Sequence, residues 1–153
     1  MPSLKLQSLR DLRTRIGQEI VTSDWLEITQ ERIDQFAEAT EDRQWIHVDV
    51  ERARRESPFG APVAHGFLTV SMLSRLLSDS IDFGPARLGV NYGFNRLRFT
   101  GPVPAGSRLR GRFTLNNLEE IEGGVQATWG VLVEREGSEK PCLVAEWLTR
   151  RYD

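Results

Sequence analysis

The stretch FLTVSMLSRLL, residues 67–77, decides the architecture. It has helix-forming length, is apolar on nearly every side, and carries Arg75 as its one charge. Such a helix needs a cover, and the chain after it supplies one. RLGVNYGFNRLRFT, SRLRGRFTLNNLEEIE, VQATWGVLVERE and KPCLVAEWLTRRY read as four strands, punctuated by the turn-formers PVPAG, EGG and EGSEK. Helices followed by a run of strands predict an α+β domain with an antiparallel sheet. A single apolar helix wrapped by that sheet buries both.

Upstream, residues 4–15 read as a short amphipathic helix carrying Leu4, Leu6, Leu9 and Leu12, within an N-terminal helical extension over residues 1–15. QEIVTSDWLEIT, residues 18–29, reads as one strand. A helix then starts at Thr29, a good N-cap, with Ile28 and Ile33 placed as a hydrophobic staple and Glu31 in the first turn. Ile33, Phe36, Ala37 and Thr40 form its predicted buried stripe. Asp49 is placed to cap a second short helix, DVERARRES, which Pro58 and Gly60 stop.

Composition bounds the function. A chain of 153 residues, 39% apolar, suits one domain with a sizeable core. No stretch is long and apolar enough to span a bilayer, and the charged start MPSLKLQSLRDLRTR does not read as a signal peptide. Cys142, the one cysteine, excludes an internal disulfide and a cysteine-built zinc site and fits a reducing cytoplasm. A net charge of −2 favours neither a nucleic-acid nor a membrane partner. The basic residues are 18 arginines with only Lys5 and Lys140. Arginine forks suit carboxylates and phosphates, although any single one also suits a solvated surface.

Two motifs carry chemistry. In ATEDRQWIHVD, residues 39–49, Asp42 and His47 stand five residues apart. On a continuous helix they would point roughly 140° away from each other. They meet only if the helix ends near Asp42 and the chain turns back. A carboxylate and an imidazole converging on one water make an acid–base pair; a turn residue and a core histidine are the structural alternative. In SPFGAPVAHGFLTVSML, residues 57–73, Gly66 precedes the apolar helix and has no side chain, so its N–H can approach a ligand closely. Amides at a helix start suit a carbonyl oxygen gaining negative charge. Gly66 could equally serve a tight turn. His65 ranks second to His47, as a residue that shapes the loop.

Together these motifs resemble the MaoC-like dehydratases, specifically the (R)-specific enoyl-CoA hydratases and their nodulation protein N-like branch. NYGFNRLRFTGPVPAGSRLRG, residues 91–111, resembles that branch too, and the similarity covers about residues 15–152 of a single domain spanning 1–153. The resemblance implies the hot-dog fold, an antiparallel sheet around a long central helix, and a homodimer. It implies reversible syn addition of water to a trans-2-enoyl thioester, giving the (R)-3-hydroxyacyl thioester. Asp42 and His47 match the family's acid–base pair, and Gly66 the glycine whose amide polarises the thioester carbonyl. Ser74, eight residues beyond Gly66, falls where some relatives place a supporting serine. Many hydratases carry asparagine two residues after the aspartate, to hold the water. This chain has Gln44 there, as the nodulation-protein-like branch resembles it in having.

The expected substrate is an acyl-CoA or acyl-carrier-protein thioester, with Arg96 and Arg98 as candidate phosphate contacts. Phe59, Phe67, Leu68 and Tyr92 are candidates for an acyl tunnel, with core packing expected for most of them. No cofactor is required. Asp42, His47, Asp49 and His65 could be imagined around a metal, but their spacing matches no known site. Two alternatives stay open: a thioesterase on the same fold, and a non-catalytic acyl-thioester-binding partner subunit. The first is disfavoured by the Asp42/His47 pair beside an intact AHG segment, the second by retention of both residues.

Overall fold

A computed structural model of the chain describes residues 2–153. Its centre is a six-stranded antiparallel sheet. The path runs β2 (Glu19–Thr22), β6 (Ser107–Ile121), β7 (Gly124–Arg135), β8 (Leu143–Tyr152) and β5 (Leu88–Phe99), with β3 (Leu26–Ile28) also paired to β6. The four long strands fall where the runs between the predicted turns place them. On β6, Leu109, Gly111, Phe113 and Leu115 turn inward at alternate positions, the period of a half-buried strand. The tight turn between β6 and β7 has Gly123 at φ +78°, a left-handed conformation that glycine adopts without strain. Across the sheet Leu115 pairs with Trp129, Trp129 with Trp147 and Trp147 with Phe94, a row of large side chains in register. Phe113 and Trp129 are fully buried. Each such side chain contributes about 1.5–3 kcal/mol of burial.

The apolar helix is two segments, α4 (Gly66–Ser71) and α5 (Leu73–Ser80), joined through Met72, whose amide donates to the carbonyls of Leu68 and Thr69. It is buried on one face rather than all round. Leu68, Thr69, Leu73, Leu76 and Leu77 face the core, while Phe67, Ser71, Ser74 and Arg75 are exposed. The sheet of one chain covers one side of the helix, and the small polar serines occupy the other.

Three further expectations are corrected. Residues 4–15 are not an α-helical extension. Leu4–Lys5 form β1, which pairs in parallel with β4 (Ile81–Asp82), and Leu9–Arg15 form a 3-10 helix capped by Ser8 and Asp11. Leu9 and Leu12 belong to the core, so this segment is integral to the domain. QEIVTSDWLEIT is two strands, not one. The Ser23 hydroxyl accepts from the Gly111 amide at 2.9 Å and donates to the Asp24 carbonyl at 2.9 Å, so a side chain interrupts the ladder. In α1 (Gln30–Thr40), Ile33 and Ala37 are buried and Phe36 half-buried, but Thr40 is exposed. The caps behave as predicted: Thr29 accepts from the Arg32 amide, and Asp49 accepts from the Arg52 amide at the head of α3 (Val50–Glu56).

Candidate active site

Glu41 ends α1 with φ +63°, the one non-glycine residue in the left-handed region among the described residues. That reversal breaks the helix before Asp42 and sends the chain back. His47 follows on α2 (Trp45–Val48), a single turn, and is 7% exposed. The Gln30 side chain holds this turn by donating to the His47 carbonyl at 2.8 Å. The 62–65 loop is clamped on both sides. Val63 N donates to the Ile46 carbonyl at 3.0 Å, Ala64 N to Val103 at 2.8 Å, and Ala105 N to Pro62 at 2.9 Å.

These supports bring the two histidines together. Their rings stack with centroids 3.8 Å apart and 21° between planes, and the Phe36 ring packs against His65, tilted, at 4.9 Å. His47 Nδ1 lies 2.6 Å from the Val63 carbonyl. A carbonyl only accepts, so Nδ1 carries the proton, and Nε2 of the neutral ring carries the lone pair. His65 Nε2 donates to the Asp42 backbone carbonyl at 2.8 Å. The side-chain donor atoms of Asp42, His47 and His65 all lie within 4.8 Å of one another. Burial pushes the His47 pKa down, and the neighbouring His65 adds to this, against the opposing pull of Val63 and Asp42. His47 is therefore neutral near pH 7 and suited to accept a proton.

Beside this cluster opens a cavity of about 480 Å³, lined by His47, Gly66, Thr69, Phe99 and Cys142 among others, with a mainly apolar wall. That size suits a small-molecule ligand. Gly66 and Phe67 begin α4, so their amides have no intrahelical acceptor; the first amide to bond back is that of Leu68, to His65. A Cβ on Gly66 would come 2.8 Å from the Phe99 ring, so glycine here permits a close approach. Burial pushes the Cys142 thiol up to about 11.

The remaining candidates scatter. Gln44 is exposed at the N-cap of α2 and is absent from the cavity wall. Ser74 lies two helical turns from Gly66, where it accepts from Asn91 at 3.2 Å in a separate small cavity with Arg150 and Arg151. Arg96 and Arg98 are exposed on β5, and Arg98 immediately precedes Phe99 of the cavity wall. Core packing holds for Leu68 alone of the tunnel candidates. Phe59 and Phe67 are 47% and 67% exposed at the cavity, and Tyr92 lies exposed under Arg150. Sequence reasoning missed Thr69, and the only signal for it was a threonine three residues after Gly66.

The MaoC like domain family model matches residues 11–136. The chain belongs to the MaoC-like dehydratases. This dehydratase is 47% identical over 145 residues to 3-hydroxyacyl-thioester dehydratase Z of Mycobacterium tuberculosis, covering 94% of this chain and 95% of that one. It is 47% identical over 145 residues to nodulation protein N of Rhizobium leguminosarum, covering 93% and 89%. Both agree with the branch that the motifs indicate. In fold it is similar to the MaoC-like dehydratase from Rhodospirillum rubrum, with a TM-score of 0.76 at 22% identity over 95% of this chain and 96% of that one. The sheet around the α4–α5 helix of this dehydratase is thus the hot-dog fold.

Proposed function

We propose that this MaoC-like dehydratase is an (R)-specific enoyl-CoA hydratase, adding water reversibly across the double bond of a trans-2-enoyl thioester. One observation carries the reading. His47, its proton fixed on Nδ1, presents a free Nε2 beside Asp42 at an apolar cavity into whose wall Gly66 is built. The thioester substrate is supported by the name of the 47%-identical 3-hydroxyacyl-thioester dehydratase Z, and the (R) outcome by the motifs shared with the hydratase branch.

In this reading the thioester carbonyl oxygen sits at the Gly66 amide. A water held by His47 and Asp42 attacks C3. His47 Nε2 takes one of its protons as the oxygen bonds to carbon, and the double-bond pair moves toward C2 and the carbonyl oxygen. The Gly66 amide meets that growing charge. The pair then returns the proton to C2 on the same face, so one water supplies both atoms. This reading needs no metal, because the water, the Asp42–His47 pair and the Gly66 amide supply the whole proton and charge traffic.

We place the enzyme in the cytoplasm as a homodimer. The lone reduced cysteine supports the first. The long edge strand β5, with Leu88, Val90 and Tyr92 exposed, supports the second.

The test is loss of enoyl absorbance from crotonyl-CoA, with product chirality resolved and Asp42→Asn and His47→Gln assayed alongside. The expected result is (R)-3-hydroxybutyryl-CoA, with kcat falling by about 10²–10⁴ in either variant. Release of free CoA would establish a thioesterase instead.

A further inference from the structure

One polar atom in the cavity wall has no partner. Thr69 is 3% exposed, and its Oγ1 is fully buried without a hydrogen bond among the described residues. A helical hydroxyl commonly donates to the carbonyl four residues back. Thr40 does so to Phe36 at 2.7 Å, Ser71 to Phe67 at 2.8 Å and Ser80 to Leu76 at 2.8 Å. For Thr69 that carbonyl belongs to His65, and it is already taken by the amides of Leu68 at 3.0 Å and Thr69 at 3.3 Å.

The other polar side chains of the wall are committed. Thr100 donates to the Pro141 carbonyl at 2.5 Å, the Cys142 thiol to Val133 at 3.4 Å, and His47 Nδ1 to Val63. Without a protein partner among the described residues are His47 Nε2 and the Thr69 hydroxyl, both on residues that line the cavity. Thr69 stands one turn beyond Gly66 on the same helix face. Helical side chains lean back over the preceding turn, which places this hydroxyl over the turn that begins with the Gly66 amide.

We propose that the Thr69 hydroxyl donates a second hydrogen bond to the thioester carbonyl oxygen, beside the Gly66 amide. The inference rests on the hydratase reading for the identity of that carbonyl. It accounts for a buried, unpartnered hydroxyl that packing alone would have replaced by a valine of the same shape. Charge on the carbonyl oxygen grows as water attacks C3, so this donor acts mainly on kcat.

The experiment compares the parent with Thr69→Val, Thr69→Ala and Thr69→Ser on crotonyl-CoA. In parallel, the spectrum of bound 2,4-hexadienoyl-CoA, whose absorbance moves to the red as its carbonyl is polarised, is recorded for each. Loss of the hydroxyl is expected to lower kcat about 10–100-fold with KM little changed and to shrink the red shift, while Thr69→Ser keeps most of both. Thr69→Val is expected to melt no lower than the parent, and Thr69→Ala serves as the second hydroxyl-free variant. Parent-like kcat and red shift in both hydroxyl-free variants would overturn the proposal and leave the hydratase standing. So would equal losses in the valine and serine variants, because the methyl group would then be what matters. A parent that neither hydrates crotonyl-CoA nor shifts the dienoyl spectrum would overturn the hydratase reading and this inference with it.

Discussion

His65 stacks on His47 at 3.8 Å while donating its Nε2 proton to the backbone carbonyl of Asp42 at 2.8 Å. One side chain therefore fixes both members of the proposed acid–base pair: the ring of one by contact, the loop of the other by a hydrogen bond. Glu41, held at φ +63°, places that loop under the strain of a non-glycine residue, on the order of 1–3 kcal/mol. His65 ties that loop down at the Asp42 carbonyl, and Arg43 ties it back to Glu38 of α1.

His65→Phe should keep the stack and lose the tie to Asp42. The expected consequence is a fall in kcat of about 10–100-fold with the fold retained, since small displacements of a catalytic group cost that much. Circular dichroism and steady-state kinetics on the same preparation check it. An unchanged kcat would show that the Asp42 loop needs no such support.

The pH profile of kcat/KM tests His47. Its pKa is pushed down by burial, so the acid limb should have its midpoint below about 6.5, the ordinary histidine value. The same shift has a stability consequence. Between the folded and unfolded pKa values the unfolded chain binds the extra proton. The His47 contribution is therefore fully present above about pH 6.5 and is lost as pH falls toward the lower folded value. An acid limb above 6.5 would mean that the charged ring, not the neutral one, is favoured by its surroundings.

Gly66→Ala tests the contact with Phe99. A methyl placed 2.8 Å from that ring must displace it, because the glycine backbone itself is not in the left-handed region. We expect a large loss of activity in Gly66→Ala and partial recovery in Gly66→Ala combined with Phe99→Leu. The coupling energy would be about 0.5–3 kcal/mol, as for residues in direct contact. Strict additivity would place the Gly66 requirement elsewhere than at Phe99.

Cys142 should resist thiol reagents in the native protein up to alkaline pH. Its thiol is pushed up to about 11 by burial and is 2% exposed. Titration with a disulfide reagent, with and without denaturant, checks this, and rapid labelling of the native protein would reveal an opening of the cavity wall at the start of β8.

Val90→Lys on β5 should turn a dimer into a monomer by light scattering. A lysine on an exposed edge strand blocks further strand or face pairing. A wild-type monomer, or a dimer indifferent to this change, would move the subunit contact to another surface.

The sequence by itself determined the four long strands, both helix caps, and the placement of Asp42 and Gly66 at helix boundaries. Those features are local. Turn-formers between runs, a hydroxyl or carboxylate before a helix, and a glycine at its start act within a few residues and show in the letters. The failures were also physical. Ser23 divided a strand because Gly111, 88 positions away, offered its amide to the hydroxyl. Leu4 and Lys5 became a strand because Ile81 and Asp82 lay beside them. Only the tertiary structure stacked His65 on His47, tied it to Asp42, set Ser74 apart from the pair, and left Thr69 without a partner in the cavity. Each of these depends on which groups from distant segments fill a given space and which hydrogen-bonding capacity they leave over, and no local pattern records that.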